Sequence, residues 1–131
     1  MTGAEYKTRR EAFGLSAAEA AEFHRLKSDR TIRHWESGRS PVPEGAAAEL
    51  LALDRRIDHA AGEATAHYRE QLAQHGQLQT IELYRYSTPE AYAASRSDRE
   101  GLPIGSHPVL IDRTRRALEA AGAHVAILYT D

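Results

Sequence analysis

The 131-residue sequence predicts a mainly α fold with a small β component, an α+β chain. Three observations carry that reading. Two Ser/Thr-x-x-Glu boxes open short helices near the N-terminus, apolar residues recur at helical spacing from Pro43 to about His75, and two β-branched or aromatic runs stand near the C-terminus. The expected layout is a bundle of three short helices over residues 1–42, followed over 43–131 by a long linking helix and a β-α-α-β region.

The elements follow in order. Thr2 with Glu5, and Ser16 with Glu19, fit the box in which side chain and backbone satisfy each other's orphan donors. Gly14 stops the first helix, which gives helices over about 3–13 and 17–24. Ser28 is expected to cap a third helix that Gly38 ends. On it Ile32 and Trp35 stand three apart and face the core together, leaving Arg30, Arg33 and His34 outward. Residues 39–43 form a linker, because two prolines and the restricted residues before them cannot continue a helix. Pro43 suits the first position of the long helix, whose stripe is Leu50, Leu53, Ile57, Ala64, Tyr68 and Leu72. Gly62 weakens its middle by about 1 kcal/mol relative to Ala, so a bend or break is expected there.

Beyond Gly76, the residues Thr80, Ile81, Leu83, Tyr84 and Tyr86 read as a strand. Thr88 caps a short helix with Pro89 at its first position, and residues 96–106 form a polar loop in which Gly101 to Gly105 is a turn. A last helix over about 108–121 is closed by Gly122. The strand over 125–129, apolar at nearly every position, is expected to be buried on both faces. Two strands alone are marginal in water, so burial is expected to be completed by the long helix and a second subunit.

Composition narrows the class. Apolar residues make up 41%, enough for a core, and no apolar run approaches the roughly 20 residues of a membrane span. The N-terminus lacks the basic-then-apolar pattern of a signal peptide, so a cytoplasmic protein is expected. Zero cysteines exclude disulfides, thiolate catalysis and Cys-containing zinc fingers. The net charge is -2, but its distribution is uneven: residues 1–42 hold 8 Lys/Arg against 6 Asp/Glu, and the remainder 9 against 13. The excess is sharpest where Arg25, Lys27, Arg30, Arg33 and Arg39 oppose only Asp29 and Glu36.

The pattern Gly14-Leu15-Ser16, Ala20-Ala21-Glu22, then Ser28-Asp29-Arg30-Thr31-Ile32-Arg33-His34-Trp35-Glu36-Ser37-Gly38-Arg39 resembles the helix-turn-helix of the phage repressor and Cro class, the XRE family. More narrowly it is similar to the anti-CRISPR-associated (Aca-type) regulators, which append a small α/β dimerisation region. The resemblance covers roughly residues 5–43, and the Trp-Glu-Ser-Gly-Arg run with Pro41-Val42-Pro43 is its most specific part. It implies a homodimeric transcriptional repressor that reads an inverted-repeat operator in double-stranded DNA with its third helix, acting without catalysis, cofactor or metal.

Within that resemblance Arg10 and Glu36 occupy positions that often pair, and Leu15, Phe23, Ile32 and Trp35 supply the core around a small Ala21. Arg30 and Arg33 are the first candidates for base reading, since a guanidinium can fork onto guanine O6 and N7. Asp29 either accepts from cytosine N4 or favours the helix N-terminus. Thr31 and His34 touch a base edge or a phosphate. Lys27, Ser37 and Arg39 flank the helix and suit phosphate contacts, with Ser28 at its start completing the candidate DNA-binding set. Two positions depart from the family pattern. Arg25 stands where many members have Gly, which predicts a turn one residue longer, and Ala17 replaces a common Gln.

Other readings are weaker. Residues 1–42 could form a bundle with a merely solvated basic face. His59, His67 and His75 lie eight apart, so successive members are displaced by about 80° around a helix and share no metal-binding face. No nucleophile elbow, zinc-protease helix or phosphate loop is present. Arg113, Arg115 and Arg116 suit a solvated face or a second nucleic-acid or partner surface; Tyr84, Tyr86 and Tyr129 suit sheet packing or a small effector pocket. The functional alternative is an antitoxin-like module that grips a protein partner with its C-terminal half and binds DNA for autoregulation.

Overall fold

Local capping dictates how the first helices begin. The computed structural model describes residues 1–76, 79–95 and 101–130. Helix α1 (Gly3–Ala12) starts where the Thr2 hydroxyl accepts the Glu5 N–H at 3.0 Å. Helix α2 (Ala17–Phe23) carries the complete box: Glu19 N–H donates to Ser16 Oγ at 3.1 Å, and Ser16 N–H to Glu19 Oε1 at 3.2 Å.

Both helices close in the same way. After α1, Gly14 N–H bonds the Glu11 carbonyl and Leu15 N–H the Arg10 carbonyl; after α2, Arg25 N–H bonds Glu22 and Leu26 N–H bonds Ala21. These are paired Schellman closures, which need a left-handed residue just past the cap. Gly14 takes φ 79° without penalty, but Arg25 takes φ 60° with a side chain. The turn is therefore not lengthened to avoid strain, as expected from the sequence; Arg25 occupies the left-handed position that glycine usually holds.

Helix α3 (Arg30–Glu36) differs from expectation at its start. Asp29, not Ser28, is the N-cap residue, and its side chain caps no backbone N–H. Ser28 has no Glu or Gln three residues on to complete a box, and the Asp29 carboxylate is engaged by Arg33 instead. Helix α4 (Glu44–His75) then runs unbroken through Gly62, whose interior position costs propensity without ending the helix. Pro43 lies one residue before it, its carbonyl accepting from Ala47 N–H.

The backbone forms two compact units, Met1–Arg56 and Ile57–Asp131. In the first, Tyr6, Leu15, Ala20, Ala21, Ile32 and Trp35 are buried together with Ala46, Leu50 and Leu53 from the start of α4. α1 meets the end of α3 very closely: a Cβ on Gly3 would lie 3.0 Å from the Glu36 Cα and closer still to the Trp35 carbonyl oxygen, so only glycine fits.

In the second unit, strands β1 (Thr80–Tyr86) and β2 (His124–Thr130) pair in parallel, from Thr80 with His124 to Tyr86 with Thr130. Parallel pairing requires a crossover, supplied by α5 (Pro89–Ala94), a 3-10 turn at Ile104–Ser106 and α6 (His107–Ala120). Thr88 caps α5 as expected, its hydroxyl accepting Ala91 N–H at 3.1 Å. The first part of the expected loop, residues 96–100, lies outside the described residues. Ile81, Leu83 and Leu118 form a small core against which Tyr68, Leu72, Ile111, Ala123 and Val125 pack.

One expectation is reversed. β2 is not buried on both faces: Ile127, Leu128 and Tyr129 are 39%, 42% and 72% exposed. Its only strand neighbour among the described residues is β1, and the helical layer centred on Leu118 covers β1 more fully than β2. Among the described residues no helix is long and apolar enough to cross a membrane.

Replacing Arg25 with Gly should stabilise the first unit. A side chain in the left-handed region costs about 1 kcal/mol or more, whereas the exposed Arg25–Glu49 pair at 3.6 Å returns little. We expect Arg25→Gly to raise the thermal midpoint by about 4 °C or more. A lowered midpoint in a calorimetric scan would show that the Glu49 contact outweighs the strain.

Candidate nucleic-acid interface

Helix α3 is seven residues long and sorts its side chains by periodicity. Ile32 and Trp35 are 0% and 5% exposed, whereas Arg30, Thr31, Arg33 and Ser37 are exposed and His34 is half-buried. Residues 30, 33, 34 and 37 fall at i, i+3, i+4 and i+7 and so lie along one face. That face is the one the sequence assigns to a ligand. Lys27 and Ser28 are exposed in the turn ahead of it, and Arg39 is exposed in the bend behind it.

Two acidic residues dilute the basic count in sequence but act differently in space. Glu36 turns inward: Arg10 Nε donates to its Oε2 at 2.7 Å and Arg10 Nη2 to its Oε1 at 2.9 Å. Arg10 Nη1 also donates to the Leu15 carbonyl at 2.9 Å, so one guanidinium binds the end of α3 and the closure of α1. The pair that the family resemblance implies is thus formed. Its side chains are only 9% and 11% exposed, and the bond to Glu36 raises the Arg10 pKa.

Asp29 stays at the surface and braces Arg33, whose Nη2 lies 2.9 Å from Oδ2. The Arg33 guanidinium holds the Asp29 carboxyl below its ordinary range, and Asp29 in turn raises Arg33. The carboxylate is therefore neither a helix cap nor free to accept from a base unless it releases Arg33 or shares it. Lys27, Arg30 and Arg39 have no ion-pair partner among the described residues.

A second buried polar group escaped the sequence reading. His24, at the end of α2, is 8% exposed and packs at 5.7 Å from Trp35 and 5.9 Å from Tyr6, ring to ring. Tyr6 Oη lies 2.8 Å from His24 Nε2, and Glu49 Oε1 is 3.6 Å from Nδ1. If the phenol donates to Nε2, the remaining imidazole proton sits on Nδ1 and faces the Glu49 carboxylate, near it but beyond hydrogen-bond length. Burial, chiefly, and the Glu36 carboxylate push the Tyr6 phenol up. Burial pulls the His24 pKa below its ordinary value, against the raising effect of Glu49. Neither residue belongs to an apolar stripe, so only the spacing of Tyr6 and Arg10, one turn apart on α1, hinted that α1 presents a mixed face to the core.

His59 pairs with Glu63 at 3.1 Å and His67 contacts Gln71 at 3.2 Å, and no metal-holding cluster occurs among the described residues. Arg113 pairs with Asp58, and Arg115 and Arg116 both engage Asp112, so these cations are largely matched by neighbouring carboxylates.

With that geometry in hand, comparison with known proteins gives one informative match. The chain is 42% identical over 53 residues to the Aca2 repressor of Pectobacterium phage ZF40, an alignment covering 40% of this chain and 46% of the relative. It thus spans less than half of the relative's length. No family model matches the chain.

Neutral His24 makes stability pH-dependent. An unfolded histidine takes up its proton near pH 6.5, whereas folded His24 does so at lower pH, so between those points the unfolded chain binds more protons and stability rises with pH. Its contribution is full above about pH 6.5 and is lost as pH falls below that value. Buried His107 in the second unit acts in the same direction. We expect the unfolding midpoint to drop between pH 7.5 and 5.5, and the drop to be smaller in His24→Gln. Equal slopes in the two proteins would place the pH sensitivity elsewhere.

Proposed function

We propose that this protein is a DNA-binding transcriptional regulator, a homodimeric repressor that reads an inverted-repeat operator through the major groove with α3. The observation that carries the reading is the outward stripe of exposed Arg30, Arg33 and Ser37 with half-buried His34, on a helix whose opposite side is locked by Ile32, Trp35 and Glu36. A rigid helix with outward guanidiniums matches the width of the major groove, and each bidentate arginine–guanine contact contributes about 1–3 kcal/mol of discrimination. Similarity to a phage repressor supports the same reading. Regulation by occupancy requires no catalytic step, so the protein acts as a regulator and not as an enzyme.

In this reading Arg30 and Arg33 contact base edges, and the Asp29 carboxylate holds the Arg33 fork before DNA arrives. Pre-ordering a long side chain lowers the entropy lost on binding. Thr31 and His34 meet a base edge or phosphate beside them. Lys27, Ser28, Ser37 and Arg39 contact phosphates and fix the helix's register without reading sequence. A single seven-residue helix makes few contacts, so two half-sites about one helical turn apart, roughly 34 Å, are needed for useful affinity.

Mobility-shift titration against the region upstream of the protein's own gene tests the proposal. Arg30→Ala and Arg33→Ala should each weaken specific binding by about 5- to 150-fold with the fold unchanged. Lys27→Ala and Arg39→Ala should weaken operator and random duplex alike and each reduce the salt slope by about 1. Wild-type affinity no greater than for random duplex, over a range of salt, would refute sequence-specific regulation.

A further inference from the structure

Strand β1 breaks its own pattern at one position. Ile81, Leu83 and Arg85 alternate onto one face, the first two buried and the third a cation where an apolar residue would continue the core. Arg85 has no carboxylate partner among the described residues; its guanidinium lies 5.9 Å from the ring centroid of its register partner Tyr129. A cavity of about 160 Å³ opens here, with Arg85, Tyr86, Tyr92, Ile104, His107 and Pro108 in its wall. It stands at the carboxyl end of β1 and the start of α6, the place where a parallel sheet and its crossover leave a crevice for ligands. His107 is a second anomaly. It is 9% exposed and its ring meets those of Tyr86 at 5.1 Å and Tyr92 at 5.4 Å, yet among the described residues nothing hydrogen-bonds its imidazole. The Tyr92 hydroxyl turns away and donates to the Leu102 carbonyl at 2.9 Å. Burial, with the Arg85 charge beside it, lowers the His107 pKa, so the imidazole is neutral near pH 7 and carries one N–H donor. Buried polar groups are ordinarily bonded, so an unmet donor on a cavity wall marks a place for a ligand atom.

We propose that this cavity binds a small aromatic carboxylate, its anionic end held by the Arg85 guanidinium and the His107 N–H and its ring held among Tyr86, Tyr92 and Ile104. Each part of that ligand answers something on the wall. A guanidinium matches a carboxylate in a two-pronged geometry, and Arg85 has no such partner of its own. The rest of the wall is aromatic or apolar, and Ile104, 38% exposed, is a large apolar side chain that a ligand would cover. The volume sets the size: a cavity of roughly 150 Å³ takes a single benzene ring, so the ligand is one ring and not a nucleotide. An inorganic anion would meet Arg85 and leave the aromatic wall bare, whereas a neutral ring would fill the wall and leave Arg85 and His107 unmet. The site lies within the second unit, and its occupancy does not depend on the DNA-binding reading of α3.

Titration of the full chain with benzoate, followed by NMR, tests this, with acetate, inorganic phosphate and benzyl alcohol as the comparison ligands. Benzoate is expected to shift the His107 imidazole and the Tyr86 and Tyr92 ring signals saturably at millimolar concentration, and to raise the His107 pKa, as a carboxylate beside the ring must. Each comparison ligand lacks one half of the match and is expected to bind more weakly. Arg85→Gln alters an exposed side chain, so the fold is retained, and it should weaken benzoate binding by about tenfold or more. No saturable shift of these signals at tens of millimolar benzoate would leave the cavity to water and overturn the proposal. Acetate or phosphate binding as tightly as benzoate would make it a bare anion site, and undiminished binding by Arg85→Gln would place the carboxylate elsewhere; either result overturns it too.

Discussion

The Arg10–Glu36 fork is the interaction on which the proposed interface depends. It joins the last turn of α1 to the last residue of α3, and through Nη1 it also holds the carbonyl of Leu15, the residue that completes the α1 closure. Three segments are therefore fixed by one planar group. A nearly buried guanidinium without its carboxylate, or the reverse, is an uncompensated charge, and breaking such a pair costs about 3–5 kcal/mol. Its geometric consequence is more specific: α3 cannot rotate about its axis without losing a bidentate contact, so the outward direction of Arg30 and Arg33 is set from within. Because Glu36 points inward, the surface around α3 is also more positive than the linear charge count implies.

A small bundle has few ways to enforce a single arrangement by apolar packing alone. Tyr6, His24 and Glu49 supply a second polar constraint, linking α1, the end of α2 and the first turns of α4. Two of its members flank Trp35, whose ring meets those of Tyr6 and His24 edge-on at 5.5 and 5.7 Å. Polar groups in a core penalise every arrangement in which they go unpaired. The Arg10 fork and the Tyr6–His24 contact thus define the bundle geometry, while Leu15, Ile32, Leu50 and Leu53 provide the burial that stabilises it.

Most of the element order was legible because it rests on local rules. Thr2, Ser16 and Thr88 each cap the helix that the sequence assigns to them, and Gly14 and Gly122 take positive φ at helix ends. The start of α3 was misread for a reason that local rules do not contain. Asp29 and Arg33, four apart, pair with each other, and the N-cap carboxylate bonds Arg33 while making no bond to a backbone N–H. Arg25 shows the limit of propensity: the Schellman bonds of Glu22 and Ala21, with the packing of α2 on α3, outweigh roughly 1 kcal/mol of left-handed strain. His24 was invisible as a core residue because histidine has no period of its own, and its burial depends on a tyrosine eighteen residues away.

The β strands were legible as strands but not in their burial, and the cause is topological. A run that is apolar at nearly every position needs cover on both faces, yet a parallel pair must spend its crossover on one side. α6 covers Leu83 almost fully but leaves Ile127 39% exposed. An uncharged edge of this kind is a liability in a chain that remains alone. On α3 the exposed side chains are charged instead, Arg30 and Arg33 standing on its outer face. The two kinds of surface fall in different units: Lys27, Arg30, Arg33 and Arg39 belong to the first, whereas the uncharged strand belongs to the second.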